Sequence, residues 1–176
     1  MDGAPLLIRI AKLLRQHKLD AILIGNAAAA LQGAPVTTTD IDFLFRQTPA
    51  SLKKLKALAR SLDAYILRPY YPVSGLYRIA RDEDGLQLDF MTVIDGIRSF
   101  EGLRKRAKTI RIDDTELTVA ALPDIIKSKR AAGRARDLVF LIAGRCAKIV
   151  GRTPRSAAGP LAGLPAWMRL ISVKSS

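Results

Sequence analysis

The 176-residue chain holds one cysteine, Cys146, and one histidine, His17. A lone thiol forms no intramolecular disulfide and excludes a four-cysteine zinc site. So few His and Cys side chains also disfavour the usual structural zinc ligand sets and a Ser-His-Asp triad. Long apolar runs are missing as well: none approaches the roughly 20 residues of a membrane span. The N-terminal stretch carries Asp2 where a secretory signal has base, and Arg9 and Lys12 interrupt its apolar run, so a reducing cytoplasm is the expected setting. Aromatic residues are scarce at 6%. That scarcity predicts that any nucleic-acid contact works through backbone and shape rather than base reading.

Positive charge, by contrast, is abundant. The formal net charge is +13, and it is unevenly placed. Residues 1–102 hold 13 Lys/Arg against 11 Asp/Glu, whereas residues 103–176 hold 16 against 5. Such asymmetry points to an acidic partner, RNA or nucleotide phosphates. The competing explanation is a solvated, solubilising face. A cationic drug as acceptor is disfavoured on the same ground.

The apolar fraction of 49% suits a folded domain with a proper core. Residues 4–17 read as an amphipathic helix, with Leu6, Leu7, Ile10, Leu13 and Leu14 at helical spacing. "AILIG" (21–25) reads as a strand stopping at Gly25. "NAAAALQG" (26–33) reads as a helix capped by Asn26 and stopped by Gly33. After a loop comes the strand "DIDFLF", then a helix opened by Pro49 and Ser51 and running to about Leu62. "LYRIA" and "LQLDFMTVI" flank the turn "RDEDG" as a hairpin, and "KTIRIDDTELTVA" reads as a second hairpin. "LPDIIKSKRAAG" and "RARDLVFLIAGRCAKIV" are helical segments around Gly133. From Gly151 onward, three prolines and three glycines without periodicity predict a flexible tail. The expected organisation is a core over 1–120, packed helices over 121–150 and a tail over 151–176.

Asp40 and Asp42 pose the chemical question. They lie two apart in an apolar strand, so their side chains share a face, and no basic residue is nearer than Arg46. Like charges so placed call for a cation between them. A glycine turn into a helix offers unpaired N–H groups to a phosphate, and Gly25 permits close approach. Asp40 and Asp42 would then hold a divalent cation between protein and polyphosphate. Mg²⁺, or Mn²⁺, suits two carboxylates plus phosphate oxygens. Asp89, another acid in an apolar strand, is the candidate third carboxylate, binding metal or deprotonating the attacking hydroxyl. Asp82, Glu83, Asp84 and Asp95 are set aside as turn acids beside Gly85 and Gly96.

The stretch "LIGNAAAALQGAPVTTTDIDFLF" resembles the polymerase-beta-type nucleotidyltransferase superfamily. Its pattern is a hydrophobic residue, Gly, then Gly or Ser, a helix, and Asp-hydrophobic-Asp. Here these are Ile24-Gly25-Asn26 and Asp40-Ile41-Asp42, with 13 residues between Asn26 and Asp40. The chain is most similar to small bacterial nucleotidyltransferases of the abortive-infection toxin type. Thr38 matches a threonine before the acidic pair, and Lys129, Arg134 and Asp137 match a downstream Lys…Arg…Asp pattern. Two departures stand out: Asn26 replaces the second Gly or Ser, and Val36 stands where relatives often carry a base.

The resemblance implies an α+β nucleotidyltransferase fold: a mixed, mostly antiparallel sheet flanked by helices, with a C-terminal helical segment. It implies Mg²⁺-dependent transfer of a nucleoside monophosphate from an NTP to a hydroxyl of an RNA (tRNA-like) or protein acceptor, within a toxin–antitoxin pair. Asp40, Asp42 and Asp89 would be catalytic and metal-binding. Gly25, Asn26, Thr38, Lys129 and Asp137 would bind nucleotide, Lys129 at the phosphates and Asp137 orienting basic side chains or the base. Lys129 and Asp137 lie about 80° apart on a continuous helix, so both would face one cleft. The alternative is a catalytically weak or inactive member that binds RNA, or a cognate toxin or antitoxin protein.

Overall fold

A computed structural model describes residues 3–36, 38–134 and 137. The elements run α1 (Gly3–Gln16), β1 (Ala21–Ile24), α2 (Gly25–Ala30), β2 (Ile41–Phe45), α3 (Pro49–Ser61) and β3 (Tyr65–Leu67). They continue with β4 (Leu76–Arg81), β5 (Leu86–Met91), α4 (Phe100–Arg106), β6 (Lys108–Ile112), β7 (Thr115–Val119) and α5 (Leu122–Ala132). The second expected helix, 134–150, lies outside the described residues apart from Arg134 and Asp137, and the expected tail lies wholly outside them.

The seven strands form one sheet in the order β3-β4-β5-β2-β1-β7-β6. Four pairings are antiparallel; β2 with β5 and β1 with β7 are parallel. Both expected hairpins, β4–β5 and β6–β7, are present. β1 and β2 are buried along nearly their whole length, as strands covered on both faces are, whereas β5 alternates buried and more open positions. Phe43 of β2 stacks on Phe90 of β5 with centroids 5.0 Å apart, and Phe45 meets Tyr77 and Phe90 edge-on. Leu7, Ile10, Ala11 and Leu14 of α1 and Leu55, Leu58 and Ala59 of α3 are buried in the same core. Full burial of each such side chain contributes roughly 1.5–3 kcal/mol.

Helix signals were partly displaced. Thr48 caps α3 by accepting the Ser51 N–H at 3.1 Å, with Pro49 in the first turn behind it. The helix after β1 starts one residue early, at Gly25, and its N-cap is Ile24, with no side-chain cap bond. Asn26 is therefore not a cap but lies in the first turn. Gly33, with φ of 84°, sits in a turn after the helix has ended at Ala30. Among the described residues, no helix is long and apolar enough to cross a membrane.

Candidate active site

The passage from β1 into α2 leaves no loop, so the chain must turn on one residue. Gly25 does so with φ of 68°, a conformation that disfavours any side chain. The β1–β2 register sets Ile24 opposite Asp42, bringing the Asp42 carboxylate onto the Gly25 backbone. A methyl group at position 25 would lie 2.5 Å from Asp42 Oδ2. Beside this contact, the Asn26 Oδ1 is buried and, among the described residues, has no hydrogen-bond partner. Leaving such an acceptor unmatched costs about 1–3 kcal/mol, so the position is built for something other than folding stability.

Thr38 fixes the other acid. Its Oγ1 accepts the Asp40 N–H at 3.0 Å and donates to the Asp40 carbonyl at 3.2 Å, a local turn typical of threonine. Asp40 is exposed and precedes β2, which begins at Ile41. Only Asp42 of the pair is therefore in the strand. Both line a cleft of about 640 Å³ together with Gly25, Asn26, Thr38, Lys129 and Asp137. Seven of the eight residues singled out from the sequence thus meet at one place.

Asp89 is the eighth, and it does not line the cleft. It pairs in register with Asp42 across the parallel β2–β5 ladder, so the two acids share a face of the sheet. Arg78, opposite Asp89 in the β4–β5 hairpin, donates from Nε to Oδ1 at 2.7 Å and from Nη2 to Oδ2 at 2.8 Å. These bonds to Asp89 raise Arg78 above its ordinary pKa; burial opposes the shift, while the charge of Asp89 and then those of Asp40 and Tyr70 add to it. Arg78 is thus the protein's own cation beside the acids. Arg46, nearest in sequence, pairs with Glu101 instead at 2.9 Å. Among the described residues, no three His, Cys, Asp or Glu side chains cluster closely enough to hold a metal.

Lys129 and Asp137 are not on one continuous helix. α5 ends at Ala132, with Gly133 as its left-handed cap at a φ of 61°. Asp137 nevertheless meets Lys129, whose Nζ donates to its Oδ1 at 2.7 Å, with side chains 13% and 9% exposed. Arg134, the middle member of the downstream pattern, lines the cleft as well, and so do Asp95, Asp124 and Ser128, which the sequence did not single out as site residues. Asp95 had been set aside as a turn acid. Asp124 is buried and receives a forked pair of bonds from Arg106; an acid in the first turn after Pro123 was its legible signal. Among the described residues, five carboxylates and two cations line the cleft, so the basic charge of the whole chain does not describe this lining. The argument against a cationic acceptor therefore fails at the cleft itself.

The donor set fits a divalent cation arriving with a polyphosphate. Asp40 and Asp42 offer oxygen ligands, and the bare Gly25 backbone leaves room that a Cβ would fill. Mg²⁺ needs only one or two protein carboxylates when phosphates complete its shell.

This arrangement of strands and cleft is the nucleotidyltransferase fold. TM1012 of Thermotoga maritima, assigned as a nucleotidyltransferase, superposes with a TM-score of 0.57 at 18% identity, over 81% of this chain and 92% of its own. The antibiotic-resistance factor ANT(2'')-Ia gives 0.59 at 15% identity, over 85% of this chain and 86% of its own. The lincosamide adenylyltransferase LnuA, bound to lincomycin, gives 0.53 at 14% identity, over 79% and 94%. At these identities the likeness is one of fold. No protein-family model and no curated protein sequence matches the chain.

Proposed function

We propose that this chain transfers a nucleoside monophosphate from an NTP to an acceptor hydroxyl in a Mg²⁺-dependent reaction. The observation that carries the reading is the Asp42 carboxylate seated against a side-chain-free Gly25, with Asp40 in the same cleft. Asp40 and Asp42 would hold the cation, Mg²⁺ or Mn²⁺, which supplies charge neutralisation at the phosphates. Thr38 keeps Asp40 in place. The backbone N–H groups at Gly25 and Asn26 bind the triphosphate, since α2 is too short at six residues for its dipole to do so alone. Lys129 adds positive charge, positioned by Asp137. The acceptor oxygen bonds to the α-phosphorus as the bond to the β-phosphate breaks and pyrophosphate leaves; Asp89, outside the cleft and held by Arg78, would have to turn toward it to take the hydroxyl proton. A carboxylate has about four acceptor sites, of which Arg78 uses two.

The acceptor we favour is RNA, such as a tRNA-like end, whose phosphates would meet the basic surface outside the acid-rich cleft. A protein acceptor, including the cognate half of a toxin–antitoxin pair, is the second choice. The reading is tested with labelled NTPs, Mg²⁺ and total RNA or protein, comparing wild type with Asp42→Ala. Labelled product that disappears in the variant, together with loss of Mg²⁺-dependent NTP binding, is expected. No product and unchanged NTP binding in the variant would sink the proposal.

The Arg78–Asp89 pair favours one second reading, a weak or inactive member that only binds RNA or a partner protein. In that case Asp40→Asn and Asp42→Asn leave RNA or partner binding unchanged and there is no divalent-ion dependence to lose.

A further inference from the structure

The chain has four tyrosines, and all four, Tyr65, Tyr70, Tyr71 and Tyr77, fall between positions 65 and 77. Tyr77 is buried in the core, whereas Tyr70 and Tyr71 stand on the surface. Tyr70 is 82% exposed, Tyr71 64% and Val73 93%, all on the turn between β3 and β4. Apolar rings left in water at such density mark a contact surface. The backbone is bent to present them: Tyr70 has φ of 61°, a conformation bulky residues rarely adopt and that collects at functional positions. The turn is nonetheless built, with Tyr71 N–H on the Arg68 carbonyl and Ser74 N–H on the Tyr70 carbonyl at 3.0 Å.

Arg68 gives the surface its charge. Its guanidinium lies 3.9 Å from the Tyr71 ring centroid and 4.6 Å from that of Tyr77, as in cation–π stacking. Arg68 is exposed and, among the described residues, forms no ion pair. A planar cation on aromatic faces, with no carboxylate to answer it, suits a partner that is both flat and anionic.

The surface also adjoins the carboxylates. The turn runs directly into β4, whose Arg78 holds Asp89. At the base of the turn, Gly75 packs so closely on Thr92 that a Cβ there would collide with its hydroxyl. Thr92 lies between Met91 and Val93, both of which line the cleft.

We propose that Tyr70, Tyr71 and Arg68 form the acceptor platform, on which unpaired bases of a single-stranded RNA end stack beside the reacting hydroxyl. The inference rests on the nucleotidyl-transfer reading for its orientation, and it adds sequence-tolerant base stacking to the backbone and shape contacts expected from the scarcity of aromatics. Protein and duplex partners are disfavoured because neither offers an anionic backbone with free ring faces.

The test uses the full chain and a labelled single-stranded RNA of mixed sequence, read by fluorescence anisotropy at fixed salt, beside the same sequence as a duplex. Alanine at both Tyr70 and Tyr71 is expected to weaken single-strand binding at least tenfold, since stacking on one aromatic ring changes affinity on the order of 5- to 100-fold. Arg68→Ala is expected to weaken it too, whereas Tyr71→Phe keeps it. Circular dichroism melts confirm that these exposed substitutions leave the fold intact. Equal binding by the double variant, equal affinity for the duplex, or no RNA binding overturns the platform. Mg²⁺–ATP binding by calorimetry without RNA is recorded separately. Its absence in wild type would instead count against the transferase reading.

Discussion

Replacing Gly25 by alanine tests the site at its most constrained point. Two costs are imposed together. The φ of 68° penalises an L side chain by about 1–2 kcal/mol, partly offset by the lower freedom of alanine in the unfolded chain. The new methyl then meets Asp42 Oδ2 at 2.5 Å, closer than real contacts allow, so the carboxylate must swing away. Gly33 supplies the matched control. Its φ is 84°, and nothing lies within 4 Å of an added Cβ. Gly33→Ala should therefore lower stability by about 1 kcal/mol, or roughly 2–4 °C in Tm for a chain of this size, and leave ligand binding alone. Gly25→Ala should lose more stability and weaken Mg²⁺–ATP binding by tenfold or more. Thermal denaturation and calorimetric titration read the two effects separately. Wild-type nucleotide binding in Gly25→Ala would refute the argument, because it would mean that the seat of Asp42 against the turn is irrelevant to the ligand.

Arg78→Ala leaves the Asp89 carboxylate, 16% exposed in its pair, without its forked donor. We expect a loss of about 1–3 kcal/mol in urea denaturation, toward the lower end because Arg78 is about a third exposed. Arg78→Lys should recover only part of it, since an ammonium cannot fork. Asp84 provides a pH signature. Hydrogen bonds from Arg81 hold its carboxyl below the ordinary 3.8, burial opposing. A depressed folded value means the unfolded chain takes up the proton first. The stabilisation is therefore complete above about pH 4 and disappears as pH falls through the lower folded value. The stability gap between wild type and Asp84→Asn should accordingly be open at pH 7 and shrink below pH 4. A gap that widens in acid would contradict the assignment.

Strand content was legible because it rests on alternation and turn chemistry. The "RDEDG" turn and the "DD" turn each announced a hairpin, and both formed with the expected strands. The edges of α2 were misread for a physical reason. Asn and Gly are ordinary helix delimiters, but here the helix is fused to β1, and the turn requirement fell on Gly25 alone. Asn26 was displaced inward, leaving an amide oxygen without a partner among the described residues at the cleft. A residue that violates its local preference in this way points to function more clearly than one that obeys it.

The partner of Asp89 was readable too, though it was passed over. A hairpin centred on the Asp82–Gly85 turn pairs Leu86 with Arg81, and counting outward sets Arg78 opposite Asp89. Cross-strand neighbours of opposite charge interact directly, so register alone supplies the ion pair. What register does not supply is the distance from that pair to Asp40, which depends on how the Thr38 turn folds back after α2. Nor could spacing along a helix explain why Lys129 meets Asp137. α5 ends at Ala132 with Gly133 as its left-handed cap, so a calculation for one unbroken helix reached the right neighbours by the wrong route. The acids in this cleft are gathered by three separate breaks in regular structure, at Gly25, at Thr38 and at Gly133. Substitutions at those turns should therefore disturb ligand binding more than equally conservative changes within the strands.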